Sequence, residues 1–282
     1  MIELAAAFAV AGAASNAVGT AFQRKAASTS RRGGVRLLAE LVRRPAWLLG
    51  MAGVVGAAVF QALALVNGPL ALVQPLFILE LPFALLVAGP LMHRRMPPSG
   101  WWGVVGVVTG LAVLLAAAAP HGATDQARLV RWIPALGLCL GGMAVAVLLA
   151  GRGRSAARRA ALLAAASATG NALTAAMLKS ATGTFADHGF LAFLRSWQTY
   201  GFAVTGAVAV LLLENALQAG PLAAAQPALT IGDAMVSLAL GITLFDERIR
   251  TGWWLMPEIG GAVLIVVGVL VLSRAVQHLT VR

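Results

Sequence analysis

The sequence predicts an all-α polytopic membrane protein of nine transmembrane helices, built as two inverted repeats of four helices joined by a fifth span. Three observations carry that prediction. The 282 residues are 60% hydrophobic and only 11% charged, with a mean hydropathy of +0.85, whereas soluble domains average about 25% charged residues. Apolar runs long enough to cross a hydrocarbon layer of about 30 Å recur from end to end, without the short alternating segments of a β-barrel. The third observation is an internal duplication. Gly68-Pro69-Leu70-Ala71-Leu72-Val73-Gln74-Pro75 returns 152 residues later as Gly220-Pro221-Leu222-Ala223-Ala224-Ala225-Gln226-Pro227, identical at six of eight positions. Gly100-Trp101-Trp102 returns at the same offset as Gly252-Trp253-Trp254.

In order, the runs cover 4–22, 46–66, 69–92, 101–119, 132–150, 160–178, 197–217, 221–244 and 253–273. The first is read as a span and not a cleavable signal, because Glu3 precedes it and its positive cluster follows it. The seventh is the most polar at its ends, with Gln198, Glu214 and Asn215. All seven Trp (Trp47, Trp101, Trp102, Trp132, Trp197, Trp253 and Trp254) fall near span starts, where amphipathic rings anchor at headgroup level. Residues 33–44 place Leu37, Leu38, Leu41 and Val42 on one helical face and Arg36, Glu40, Arg43 and Arg44 elsewhere, which predicts an interfacial helix. Residues 188–196 are its expected shorter counterpart on the other side.

Under nine spans the basic residues divide unequally. Arg24, Lys25, Arg31, Arg32, Arg36, Arg43, Arg44, Arg94, Arg95, Arg152, Arg154, Arg158, Arg159, Arg274 and Arg282 fall on one side, and Arg128, Arg131, Lys179, Arg195, Arg248 and Arg250 on the other. The richer side is expected to be cytoplasmic, which puts the N-terminus outside and the C-terminus inside. The net charge of +11 is thus read as topology marking and attraction to anionic lipid at the cytoplasmic face, not as nucleic-acid binding. Arg outnumbers Lys nineteen to two in an Ala-rich chain, a bacterial bias that makes the plasma membrane the expected location.

Spans one to four and six to nine are separated by an odd span, so equivalent helices run in opposite directions. That is the build of many secondary transporters, with the site at the interface of the halves. The expected units are 1–120 for the first repeat, 121–155 for the linking helix and 156–282 for the second repeat. A weaker match, Asn16-Ala17 with Asn171-Ala172, pairs the first spans at offset 155.

These features resemble the drug/metabolite transporter superfamily, whose members carry duplicated EamA-type repeats. The likeness lies in the two loop-then-helix runs with a central Pro (Pro75, Pro227), the polar turn Leu244-Phe245-Asp246-Glu247-Arg248, and the Gly-rich last helix from Gly260-Gly261 to Gly268-Val269. It covers nearly the whole chain. Nine spans, Ala21-Phe22-Gln23-Arg24-Lys25, Arg44-Pro45-Ala46-Trp47 and Ala119-Pro120 are most similar to the NIPA-like magnesium-transporter branch. Ala58 stands where that branch has an acid in span two. The resemblance implies alternating-access transport, with magnesium or another divalent cation as an alternative cargo.

A carboxylate at a helix centre costs roughly 2.5–3.5 kcal/mol on insertion scales, so each one calls for a partner or a task. Glu80 and Asp233 lie near the middle of spans three and eight, one residue out of register at offset 152. Gln226, Thr230, Asp233 and Ser237 form a stripe on span eight. Asn16, Thr20 and Gln23 stripe span one, while Ser167, Asn171 and Thr174 stripe span six. Pro75 and Pro227 interrupt helical hydrogen bonding beside Gln74 and Gln226, freeing carbonyls that a solute could contact. The expected pathway is therefore Glu80, Asp233, Gln74, Gln226, Asn16, Asn171, Thr230 and Glu214, with helix breaks at Pro75 and Pro227. Glu258 is a lesser candidate for a gate.

No P-loop or GxGxxG is present, and His93, His121, His188 and His278 are scattered in predicted loops, so neither an enzyme nor a cofactor is expected. Cys139, the only cysteine, is read as a packing residue. The GxxxG pairs Gly106/Gly110 and Gly137/Gly141 are read as close helix contacts. The functional expectation is proton-coupled movement of a small metabolite or drug-like solute. A divalent-cation permease and a non-transporting scaffold or lipid-handling subunit are the alternatives, and a homodimer is compatible with either.

Overall fold

The computed structural model describes residues 1–28, 45–91, 98–122, 124, 126–152 and 155–280. Nine helices among these residues are long and apolar enough to cross a membrane. They are α1 (Ile2–Ser28), α2 (Pro45–Asn67), α3 (Leu70–Leu76 and Glu80–Leu91, joined by the 3-10 turn Phe77–Leu79), α4 (Pro98–Ala118), α5 (Leu129–Arg152), α6 (Ala156–Arg195), α7 (Trp197–Ala219), α8 (Leu222–Phe245) and α9 (Leu255–Thr280, entered through the 3-10 turn Gly252–Trp254). No strand occurs among the described residues; His121 and Arg248 form an isolated antiparallel bridge. The chain is an all-α polytopic membrane protein. The expected interfacial helix over 33–44, with Arg31 and Arg32, lies outside the described residues, as do His93, Arg94, Arg95 and Arg154.

Two backbone features follow directly from residue type. Pro75 cannot donate and crowds the carbonyl four residues back, and α3 tightens into its 3-10 turn immediately afterwards. Gly189 adopts φ 80°, ψ −177° inside α6, a conformation closed to most side chains. It breaks the helix, and the turns that follow up to Arg195 are the expected short segment over 188–196. The rest of α6 continues well past the predicted end at 178, carrying Lys179 into the bundle interior.

One end of the bundle, the Met1 face, gathers the start of α1, the 68–69 turn, the α4–α5 connection, the Lys179 region of α6 and the 246–250 turn. Gly68 packs on Ala5. Lys179 Nζ donates to Gly68 O (3.2 Å), and Gln126 Nε2 donates to Ser180 O and to Thr184 Oγ1. His121 and Arg248 exchange backbone hydrogen bonds. At the opposite face Gly220, between α7 and α8, lies against Ala156 and Ala160 at the start of α6.

Glycines set the closest crossings. A Cβ on Gly261 of α9 would stand 2.7 Å from Gly110 O and Leu114 N of α4, and one on Gly268 2.7 Å from Val107 N. α1 and α2 cross as tightly, with Gly53 against Gly19. In lipid such contact replaces the hydrophobic drive that helices lack there. The expectation for Gly106/Gly110 therefore holds. Gly137 and Gly141 are a correction: a Cβ at either meets nothing within 4 Å. They sit on the outer side of α5 beside the exposed Val130, Ile133 and Leu138, so they close no contact among the described residues.

Trp132 is a second correction. It is 1% exposed, its ring set edge-on to Trp197 and to Phe245, so it is a core residue and not a headgroup anchor. Trp253, at 88% exposure, keeps an anchor's position. Cys139 is buried, as expected of a packing residue.

Overpacking a tight crossing costs ~1–3 kcal/mol. Gly261→Leu should therefore lower the melting temperature in mild detergent by several degrees, while Gly137→Leu leaves it unchanged. Equal melting of the two variants contradicts this assignment of the crossings.

Candidate functional site

The stripe on α8 faces the bundle. Thr230 and Ser237 are buried, and Asp233 and Gln226, on the same face, are half-buried. Ser237 Oγ donates to Asp233 Oδ1 (3.4 Å). Next to Asp233, Gly232 packs on Ala168 and Ala165 of α6, and Asn171 sits one turn further along α6, half-buried. In the first half α1 packs on α3. Gly12 lies against the Phe77 ring, with Glu80 and Asn16 about one turn deeper on their helices, both half-buried.

The two helix pairs meet where Gly241 of α8 lies against Ala71 of α3. Glu80 is nine residues inward from that crossing and Asp233 eight, which at 1.5 Å per residue is roughly 13 Å and roughly 12 Å. The acids occupy matching depths.

The amides give the clearest chemical signal. Among the described residues, no hydrogen bond engages the side chain of Asn16, Gln74, Asn171, Gln226 or Thr230. Polar groups elsewhere in the bundle are satisfied locally: Asn67 Nδ2 of α2 donates to Leu63 O, Asn215 Nδ2 of α7 to Leu211 O, and Thr174 Oγ1 of α6 to Gly170 O. The sealed side-chain polar atoms without a partner among the described residues are Trp132 Nε1 and Glu258 Oε2. The amide heads are not among them; Gln74 is 4% exposed and Asn16, Asn171 and Gln226 are half-buried. Buried amides normally pair; a set left open on interior faces suits a hydrogen-bonding solute or water.

Other expectations fare differently. Glu214 is exposed at the far end of α7, off the face formed by Thr205, Ala209 and Ala216, so the structure does not bring it to the others. Pro75 is buried and Pro227 half-buried inside an unbroken α8. A cavity of about 470 Å³ lies at the Met1 face, lined by Ile2, Leu72, Leu115, Ala119, Pro120, His121 and Arg250. An apolar groove of about 440 Å³ runs between α5 and α7. Neither cavity reaches Glu80 or Asp233.

Sequence reasoning missed a fully buried ion pair. It left Lys179 just past the end of span six and Glu247 in a polar turn, yet their side chains are 1% and 0% exposed and Nζ stands 2.8 Å from Oε1. Asp246, in the left-handed region at φ 52°, turns the chain back at the end of α8 and is tethered by Arg131 (2.7 Å). Short polar residues tolerate that conformation. The reversal lays the Glu247 carboxylate over Gly241, where any Cβ would collide with it.

Glu247 Oε1 accepts from Leu70 N (2.6 Å) and Oε2 from Ala71 N (2.9 Å). These are orphan amides at the positive end of α3, opened by Pro69. Lys179 Nζ also lies 4.8 Å over the Phe245 ring. Two signals could have revealed the pair: a lone Lys in an Ala-rich apolar helix, and an acid two residues beyond a span.

No family model matches the chain, and no solved structure matches it. An uncharacterized protein of Corynebacterium glutamicum is 28% identical over 279 residues, covering 96% of this chain and 95% of its own length. The similarity therefore runs through both halves.

Removing one partner of a buried ion pair costs about 3–5 kcal/mol. Glu247→Ala strands an ammonium and two amides, whereas Lys179→Met leaves the carboxylate on its two amides. In detergent unfolding Glu247→Ala should lose more stability than Lys179→Met, and the double variant less than the sum. Strict additivity contradicts direct pairing.

Proposed function

We propose that the chain is a secondary transporter of a small organic solute, working by alternating access between two inverted four-helix repeats of the drug/metabolite transporter type. The observation that carries this reading is the set of unbonded amides with one acid on each of two corresponding helix pairs, α1/α3 and α6/α8, at matching depth. The repeat itself gains support from Ser15 and Ser167, 152 residues apart. Each donates to a carbonyl of the following helix at 2.8 Å, Gly53 O and Ala209 O. This extends the offset of the Gly-Pro-Leu-Ala match to the first helices, in preference to the 155 of the Asn16–Asn171 match.

On this reading the amides hold the solute, Asp233 and Glu80 exchange protons with it or with water, and rocking of the halves exposes the site alternately. The basic asymmetry supports a Met1 face outside, and the Arg-rich, Ala-rich composition supports a bacterial plasma membrane. An organic solute is preferred to a divalent cation. Hard cations take six or more oxygens in one shell, and the two acids stand on separate helix pairs.

Uptake and efflux in sealed proteoliposomes, over a panel of amino acids, amines and drug-like solutes with and without a pH gradient, tests this. Asp233→Asn nearly preserves shape and removes a titratable group. It should abolish gradient-driven transport while leaving solute exchange, and Glu80→Gln would tell whether one acid or both are required. Wild-type rates and unchanged pH dependence in both variants would leave the acids as structural groups.

A further inference from the structure

Besides the α4–α9 glycine seam, the two halves are joined at the Met1 face by a buried ionic contact. Glu247, from the second half, holds the first turn of α3, from the first half, by both carboxylate oxygens. Lys179, also of the second half, completes the grip on Glu247 and on Gly68 O. Phe245, Trp132 and Trp197 wall the pair off from lipid and water. Further into the bundle, Val73 and Ser237 are 0% exposed, so Ser237, which donates to Asp233, lies packed beneath this contact. Above it lies the cavity bounded by Leu72, His121 and Arg250.

The sequence repeat does not carry the Glu247 carboxylate to the opposite face. There Gly220-Pro221-Leu222 opens α8 as Gly68-Pro69-Leu70 opens α3, but the residue 152 positions before Glu247 is Arg95. A guanidinium has no acceptor for helix N–H groups and repels the positive end of a helix.

We propose that Glu247 and Lys179 form an ionic latch that keeps the Met1 face closed at rest, and that this face opens only when the Glu247 carboxylate leaves the first turn of α3. The latch rests on the transport reading for its purpose but not for its test. Gly241 sets its seat, since only a residue without Cβ lets the carboxylate reach the Leu70 and Ala71 amides. Opening exchanges the carboxylate's protein donors for water entering from the cavity above.

The test uses the full chain in oriented proteoliposomes, with Cys139→Ala to remove the native thiol and Ser237→Cys as a near-isosteric reporter beneath the latch. A membrane-impermeant methanethiosulfonate is added at the Met1 face. The reporter should label slowly with the latch intact. Labelling should be at least tenfold faster with Glu247→Gln or Lys179→Met, and faster also with Gly241→Ala, which keeps both charges and displaces the carboxylate. Melting and gel-filtration profiles select folded variants, and Gly241→Ala decides if the charge variants do not fold. Rates unchanged in the folded variants, or rapid labelling with the latch intact, overturn the proposal. Because labelling needs no solute, a negative result leaves the transport reading standing, and absent transport leaves the latch standing.

Discussion

A carboxylate buried in a bundle this apolar must gather donors or lose its charge, and Glu247 gathers two backbone amides and an ammonium. The low dielectric that makes an unpaired charge so costly also makes a fully paired one directional. The donors come from two distant places in the sequence, the start of α3 and the Lys179 region of α6, so satisfying the charge fixes several positions at once. α3 must begin at Leu70, α6 must stay helical through Lys179, and the chain after α8 must turn at Asp246. A buried pair of this kind contributes little net stability compared with apolar packing. What it supplies is a unique arrangement at one end of the bundle, in a solvent where helices otherwise slide against one another with little preference.

The remaining helix contacts use a different device. Small residues at the α1–α2 and α4–α9 crossings let backbones approach until van der Waals contact replaces the missing hydrophobic drive. The α1–α2 seam lies within the first half, while the α4–α9 seam joins the two halves. Polar groups cluster instead on α1/α3 and α6/α8. The structure thus separates glycine seams from polar faces, and the latch spans the junction between the two polar pairs.

Much of the fold was legible in the sequence because hydrocarbon imposes a single rule, that backbone groups be satisfied within the helix. Helices α2, α7 and α8 begin and end within a few residues of expectation for that reason. The stripe from Gln226 to Ser237 was legible because helical period alone puts those residues on one face. Lys179 and Glu247 were not, since a span-length window treats a charge at its edge as a loop residue. Only the tertiary turn at Asp246 brings the two together. Trp132 was misread for the same reason: position in a span says nothing of which way a ring faces. Gly137 and Gly141 show the converse, a motif for close packing without a partner in its own chain.

The central claim is that the Glu247 carboxylate occupies the first turn of α3. Backbone hydrogen exchange at Leu70 and Ala71 reads this directly, because first-turn amides have no intrahelical acceptor and ordinarily exchange fast. In nanodiscs the two amides should be strongly protected in the wild-type chain. In Glu247→Ala that protection should collapse, with little change in the glycine-packed α4 and α9. Fast exchange at Leu70 and Ala71 in the wild type, or protection indifferent to Glu247→Ala, would contradict the account.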